Sequence, residues 1–234
     1  MEATRNPEFQ SILDRLQRNR RELTPEELAE RLEIEQAAAR RVLEDRLTRA
    51  RIPRRFWQIT FEEIERRGVP TQVQSQFRAA RAYADDLRHN FREGRGLLLA
   101  GPPGVLKTSI AIAVLQAALE MQIGGLFLSM PGWIDHTSTL AKTDRSGYAE
   151  FERRLRNVPM LVLDDLGAEG SERWIGAKVD GLITDRWHEQ LPIIATTNLT
   201  AGELKASYSE RVIDRLRSAC QQINFEGPSQ RRKA

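Results

Sequence analysis

The chain has 234 residues, 36 basic against 33 acidic side chains and a formal net charge of +3. That length buries a full core, enough for one α/β domain and a smaller element, while the charge balance excludes a global basic field for nucleic acid. A single cysteine, Cys220, excludes an internal disulfide framework and suits a reducing compartment. No basic-then-apolar leader is read, and the longest largely apolar stretch, Ile110 to Leu119, is too short to span a bilayer, so a cytoplasmic, membrane-free protein is expected.

The first 51 residues read as a small, all-helical, charged domain. Asn6 and Pro7 look like an N-cap and first helical position, with Phe9, Ile12, Leu13 and Leu16 on one face of the helix they start. Thr24 to Glu27 forms a capping-box start for a second helix, with Leu28 and Leu32 inward. A third is expected from about Ala37 to Arg51, with Val42, Leu43 and Leu47 apolar, ended by Pro53. The last two resemble a helix-turn-helix. However, Glu33 stands where the tight turn usually has Gly, and Glu35 places an acid where DNA phosphate would meet a reading helix. Docking of a protein partner is therefore favoured, with DNA reading as the alternative. Residues 52–68 form a Pro-broken connector whose aromatics are expected to pin the module to the next domain.

From residue 69 to the C-terminus the pattern alternates helix and strand. A helix is expected over Thr71 to His89, with Phe77, Ala80, Tyr83, Ala84 and Leu87 as its apolar stripe. Leu97 to Ala100 reads as a buried strand. It runs into Gly101, Pro102, Pro103, Gly104, Val105, Leu106, Lys107 and Thr108, and an apolar helix begins at once with Ser109. Strand, glycine loop, Lys-Thr and helix make a phosphate-binding P-loop. Backbone N–H groups at the helix start face the phosphates, Lys107 supplies charge to the β/γ oxygens, and the Thr108 hydroxyl ligates Mg²⁺. One position departs from G-x-x-x-x-G-K-[ST]: Leu106 stands where Gly is expected. Its isobutyl group either crowds the phosphates or turns away from them.

Further strands are expected at Gly125 to Leu128, Met160 to Asp164 and Pro192 to Thr196, with mixed helical sequence over Trp133 to Asn157 and a long helix over Glu172 to Glu189. Such alternation argues for a parallel sheet covered on both faces, with the ligand at the carboxyl ends of the strands. Met160 to Asp165 delivers two carboxylates to such an end. Asp164 would hold Mg²⁺, usually through water, and Asp165 would orient or deprotonate an attacking water. Asn198, after the next strand, would bond the γ-phosphate or that water.

On these motifs the region from about Ile52 onward resembles an AAA+ ATPase of the family containing the helicase loaders DnaC and DnaI and the transposition helper IstB. GPPGVLKT is similar to its Walker A apart from Leu106, VLDDLG to its Walker B and ATTN to its sensor 1. The closing run SERVIDRLRSACQQINFEGPSQRR resembles the loaders' ER-h-x-DR segment and final S-x-R. The resemblance implies a three-layer AAA+ core that takes ATP and Mg²⁺, assembles into a homo-oligomer with ATP, and hydrolyses it. It implies an arginine finger at Arg215 acting on a neighbour's nucleotide, assisted by Arg211, and a sensor 2 at Arg231. With three residues after Arg231, a full lid domain is not expected. Trp133 to Asn157 matches an insertion that contacts single-stranded DNA, with Lys142, Arg145 and Tyr148 as candidates. The implied function is a DNA replication factor that places a replicative helicase on single-stranded DNA. The alternatives are an IstB-like ATPase acting on duplex DNA with a transposase, and an adaptor whose P-loop has decayed. The N-terminal module has no Cys cluster, so a zinc site of the DnaI kind is not expected.

Overall fold

A computed structural model describes residues 24–169 and 173–227. The chain divides into two compact units, Met1–Asp45 and Arg46–Ala234. Their boundary falls six residues before the 51/52 division expected from Pro53. The helix expected after Asn6 and Pro7 lies outside the described residues.

One continuous helix, α1, runs from Pro25 to Arg49. This corrects the expectation of two helices joined by a turn, and removes the helix-turn-helix alternative for residues 24–51. The physical reason is local: no Gly or Pro interrupts the helix after Pro25, and Glu33 and Glu35 are good helix formers. Ion pairs at i,i+4 (Arg31–Glu35, 3.3 Å; Arg40–Glu44, 3.2 Å) span its middle. Leu32, expected inward, is exposed, and of the apolar residues of the expected third helix Val42 and Leu43 are exposed while Leu47 is buried.

In the second unit the connector residues are part of the core. Ile52, Ile59, Phe61 and Ile64 are buried, the last two on α2 (Phe61–Arg67). Helices α3 (Gln74–Asp85) and α4 (Leu87–Arg92) replace the single helix expected over 71–89, with the break at Asp86. Five strands then form one parallel sheet: β1 (Gly96–Ala100), β2 (Gly125–Ser129), β3 (Met160–Asp164), β4 (Ile193–Thr197) and β5 (Cys220–Asn224), ordered β2-β3-β4-β1-β5.

Alternation along these strands splits the core into two layers. Leu97, Leu99, Phe127, Met160, Val162 and Ile194 face one layer with α3 and the P-loop helix α5 (Lys107–Glu120). Leu98, Leu126, Leu128, Leu161, Leu163, Ile193 and Ala195 face the other. That second layer is closed by α6 (Met130–Thr143), α7 (Arg145–Asn157), α8 (Arg173–His188) and α10 (Glu210–Ala219), after the short α9 (Ala201–Ser207). Sheet strands buried on both faces read as continuous apolar runs, which is what GLLLA and MLVLD are. From β1 the chain crosses to β2 at the far edge, returns through β3 and β4, and then hops past β1 to β5. The carboxyl ends of β1, β4 and β3 thus lie side by side.

A candidate nucleotide site

The loop after β1 is built from conformations that ordinary residues avoid. Gly101 (φ 149°) passes so close to the neighbouring segment that a Cβ there would stand 2.3 Å from the Phe225 carbonyl oxygen. Leu106 adopts φ 71°, ψ 4°, the left-handed geometry that Gly takes at low cost. For Leu this costs roughly 1–2 kcal/mol. The loop keeps its shape because Val105 is fully buried and Leu106 itself packs, partly buried, against the first core layer.

Three motifs meet beyond this loop. Lys107 Nζ donates to the carbonyls of Gly101 and Pro102 (2.7 Å each) and to Asn198 Oδ1 (2.8 Å). Asn198 Nδ2 in turn donates to Asp165 Oδ1 (3.1 Å). Asp164, buried at the end of β3, accepts from the Thr196 hydroxyl (2.7 Å). Burial raises the Asp164 pKa, and its hydrogen bonds with the Thr196 and Thr108 hydroxyls oppose the shift. Residues some 90 positions apart therefore form two short chains, Lys107–Asn198–Asp165 and Thr108–Asp164–Thr196. Asp165 is itself left-handed (φ 60°), its N–H held by Thr196 Oγ1 (2.9 Å).

These groups open on a cavity of about 860 Å³ that also takes in Pro103, Gly104, Leu106, Ser109, Arg55 and Phe56. Its size suits a small-molecule ligand. Sequence reasoning missed Arg55 and Phe56 as site residues. They reach it because Gln116, buried in α5, donates to the carbonyls of Phe56 and Ile59 (3.0 Å each) and fixes that segment. The available signal was an aromatic beside an Arg; the Arg55 guanidinium lies 4.6 Å over the Phe56 ring.

The donor set fits a hard divalent ion. Asp164 and Thr108 offer oxygens, as Mg²⁺ prefers, and the buried carboxylate has the Lys107 charge nearby but takes its hydrogen bonds from hydroxyls. Among the described residues no group of three or more His, Cys, Asp or Glu could hold a metal, so phosphate and water oxygens would complete the shell.

The basic residues expected at subunit boundaries are placed differently from one another. Arg215 turns onto its own chain: it hydrogen-bonds the Thr184 hydroxyl, approaches Asp180 (3.6 Å) and lies 5.5 Å over the Trp187 ring. Arg211, one turn earlier on α10, is exposed. Arg231 lies outside the described residues. Of the α6–α7 candidates, Lys142 and Arg145 are exposed, and Tyr148 Oη accepts from Lys178 Nζ (2.9 Å).

The profile of the IstB-like ATP binding proteins matches residues 16–234. The chain belongs to this family. It is 27% identical to the insertion sequence IS21 putative ATP-binding protein of Pseudomonas aeruginosa over 82% of its own length and 71% of that protein's. With the replicative helicase loader DnaI of Bacillus subtilis it shares 29% identity over 51% of its own length, spanning 39% of that protein; with Escherichia coli DnaC it shares 25% over 59% of its own length, spanning 55%. In fold it resembles a crystal structure of the DnaC helicase loader (TM-score 0.66, 24% identity, 74% of this chain and all of that one). The architecture is the AAA+ P-loop core, as the motifs led one to expect.

Leu106 supplies a direct test of loop geometry. Leu106→Gly removes the left-handed strain but adds unfolded-state freedom worth roughly 0.5–1 kcal/mol, and it loses some packing. Stability is expected to stay within about 1 kcal/mol of wild type, while ATP affinity rises by about tenfold, the worth of one phosphate hydrogen bond. Titration calorimetry on both forms checks this. Equal affinities would mean that the isobutyl group never enters the phosphates' space.

Proposed function

We propose that this protein is a Mg²⁺-dependent ATPase that assembles with ATP and helps place a replicative helicase on single-stranded DNA in the cytoplasm. The observation that carries the enzymatic part is the meeting of Lys107, Thr108, Asp164, Asp165 and Asn198 on one cavity. The loader part rests on the DnaI and DnaC relatives.

In this reading the α5 N-terminal amides and Lys107 cradle the phosphates, with phosphate oxygens replacing the Gly101 and Pro102 carbonyls on the ammonium. Thr108 and Asp164 would hold Mg²⁺, which would supply charge neutralisation at the phosphate oxygens. Asp165 accepts a proton from the attacking water as the water oxygen bonds the γ-phosphorus and the bond to the ADP oxygen breaks. Asn198, already bonded to both Lys107 and Asp165, positions that water or the γ-phosphate. A neighbour's Arg215, assisted by Arg211, would stabilise the transition state. To do so Arg215 must leave Asp180, Thr184 and Trp187, whereas Arg211 needs no such release. Arg231 would contact the γ-phosphate in its own subunit. Lys142, Arg145 and Tyr148 would contact single-stranded DNA.

The second reading, a transposition helper binding duplex DNA and a transposase, is favoured by one fact: the IS21 relative matches along 82% of the chain. Immobilised full-length protein, loaded with ATP, is the test. Retention of the host's replicative helicase supports the loader, whereas retention of an IS21-type transposase but no helicase supports the second reading.

Asp164→Asn should separate stability from function. The buried carboxylate has a raised pKa, so its ionisation weighs against the folded, nucleotide-free protein at neutral pH, and that cost is absent at low pH where the group is protonated. The amide keeps an acceptor for Thr196. The variant is therefore expected to melt slightly higher than wild type at pH 7, with the gain shrinking as pH falls, and to lose Mg²⁺-dependent hydrolysis. Calorimetric melts from about pH 5 to 8 with a phosphate-release assay check both halves.

A further inference from the structure

The turn that presents Asp165 is held from two sides. Residues Asp165 and Gly167 both have positive φ (60° and 100°), so the turn depends on outside bonds for its shape. From β4, Thr196 binds the Asp165 and Leu166 amides through its hydroxyl and carbonyl (2.9 and 2.7 Å), and the Thr197 hydroxyl donates to the Leu166 carbonyl (2.7 Å). The remaining tie comes from the other direction. The Gly167 N–H donates to Glu169 Oε2 (2.8 Å) and also faces the Tyr208 phenol oxygen, while the other oxygen of that carboxylate accepts from the Tyr208 hydroxyl.

Glu169 and Tyr208 are both buried, and among the described residues no cation pairs with this carboxylate. A buried carboxylate satisfied by an amide and a phenol is a costly device for a turn that solvent or an Asn could close. Its partner explains the placement. Tyr208 ends α9 and directly precedes Ser209, the N-cap of α10, whose hydroxyl accepts from Val212 N–H (3.3 Å) and donates to Asp180 (3.1 Å). Helix α10 carries Arg211 and Arg215, and Arg215 is anchored on the same Asp180.

We propose that Glu169 is a positioning residue that ties the Asp165 turn to the start of α10 through Tyr208. Displacement of the arginine-bearing helix is thereby felt at the residue that handles the attacking water. The reading of the Asp165 turn as catalytic rests on the ATPase assignment above; the mechanical coupling does not. It makes hydrolysis responsive to whatever holds α10, without any contact between Tyr208 and nucleotide.

Amide hydrogen exchange on the full-length protein without nucleotide tests the coupling directly. In Tyr208→Phe, which keeps the ring and its packing and leaves the Glu169 carboxylate in place, exchange at Gly167 is expected to quicken by about tenfold. In a Glu169→Ala background the same Tyr208 change should add much less at Gly167 than it does in the wild type. Glu169→Gln, whose carbonyl can accept from Gly167 while its amide donates to the phenol oxygen, should restore near-wild-type exchange. In steady-state assays Tyr208→Phe should lower kcat by about ten- to a hundredfold, the scale of loss when a reacting group is slightly misplaced, with KM for ATP changed less than about twofold. Unchanged exchange at Gly167 in Tyr208→Phe, or additive effects of the two substitutions, overturns the proposal. Absence of hydrolysis in the wild type counts against the ATPase reading instead, and the exchange result decides the coupling alone.

Discussion

Arg186→Ala is expected to destabilise the Arg46–Ala234 unit by about 4 kcal/mol or more. The side chain is fully buried, and among the described residues no carboxylate pairs with it. Its guanidinium instead donates to five carbonyls: Leu155 (2.9 Å), Arg156 (3.4 Å) and Val158 (2.8 Å) at the end of α7, then Pro159 (3.2 Å) and Pro192 (3.0 Å) ahead of β3 and β4. One cation thus caps a helix whose last carbonyls have no intrahelical partner and aligns two strands that lead to Asp164 and Asn198. Burial pulls its pKa down to about 9, which still leaves it charged at neutral pH. Alanine would strand those carbonyls in a dry site. Urea unfolding at neutral pH measures the loss. A change under about 1 kcal/mol would mean that water takes over the carbonyls at little cost.

Lys107→Ala should weaken ATP binding by at least about a hundredfold and abolish hydrolysis, because charge-assisted phosphate bonds are worth roughly 1.5–3 kcal/mol each. Lys205→Ala, which removes a Lys of α9 far from the loop in sequence and not lining its cavity, should do neither. The Lys107 substitution also frees Asn198 from its 2.8 Å bond to the ammonium, so the Asn198–Asp165 pair loses its orientation with it. Mixing Lys107→Ala with Arg215→Ala protein should restore some activity if Arg215 acts on a neighbour, since each mutant keeps one intact half of a shared site.

Much of this was legible because the chemistry and the fold use the same residues. GLLLA and MLVLD announce strands buried on both faces, and each ends in the groups that the site requires. The two-layer split of Leu97, Leu98 and Leu99 comes from strand alternation alone. Strand β5 was not legible: of Cys220 to Asn224 only Ile223 is buried, so an edge strand with a polar sequence carries no apolar run to read. The merger of two expected helices into α1 follows from Glu33 and Glu35, which already spoke against a DNA-reading helix-turn-helix and which, as good helix formers, do not interrupt the helix. Residues 52–68 looked like a connector because Pro53 breaks them, yet Gln116 and four buried apolar side chains draw them into the core. Glu169 and Tyr208 lie 39 positions apart and share no motif, so only the folded chain reveals that they touch. Arg215 was placed by resemblance, and no local pattern could show that Asp180 and Thr184 would hold it on its own chain.

The most direct measurement is titration calorimetry of ATP into the wild-type protein, with and without Mg²⁺, alongside Asp164→Asn. Binding at one site per chain, tightened by Mg²⁺ in the wild type and indifferent to Mg²⁺ in Asp164→Asn, is the predicted result. No detectable binding at millimolar ATP, or Mg²⁺ enhancement that survives in Asp164→Asn, would contradict a shared nucleotide–metal site at Lys107, Thr108 and Asp164.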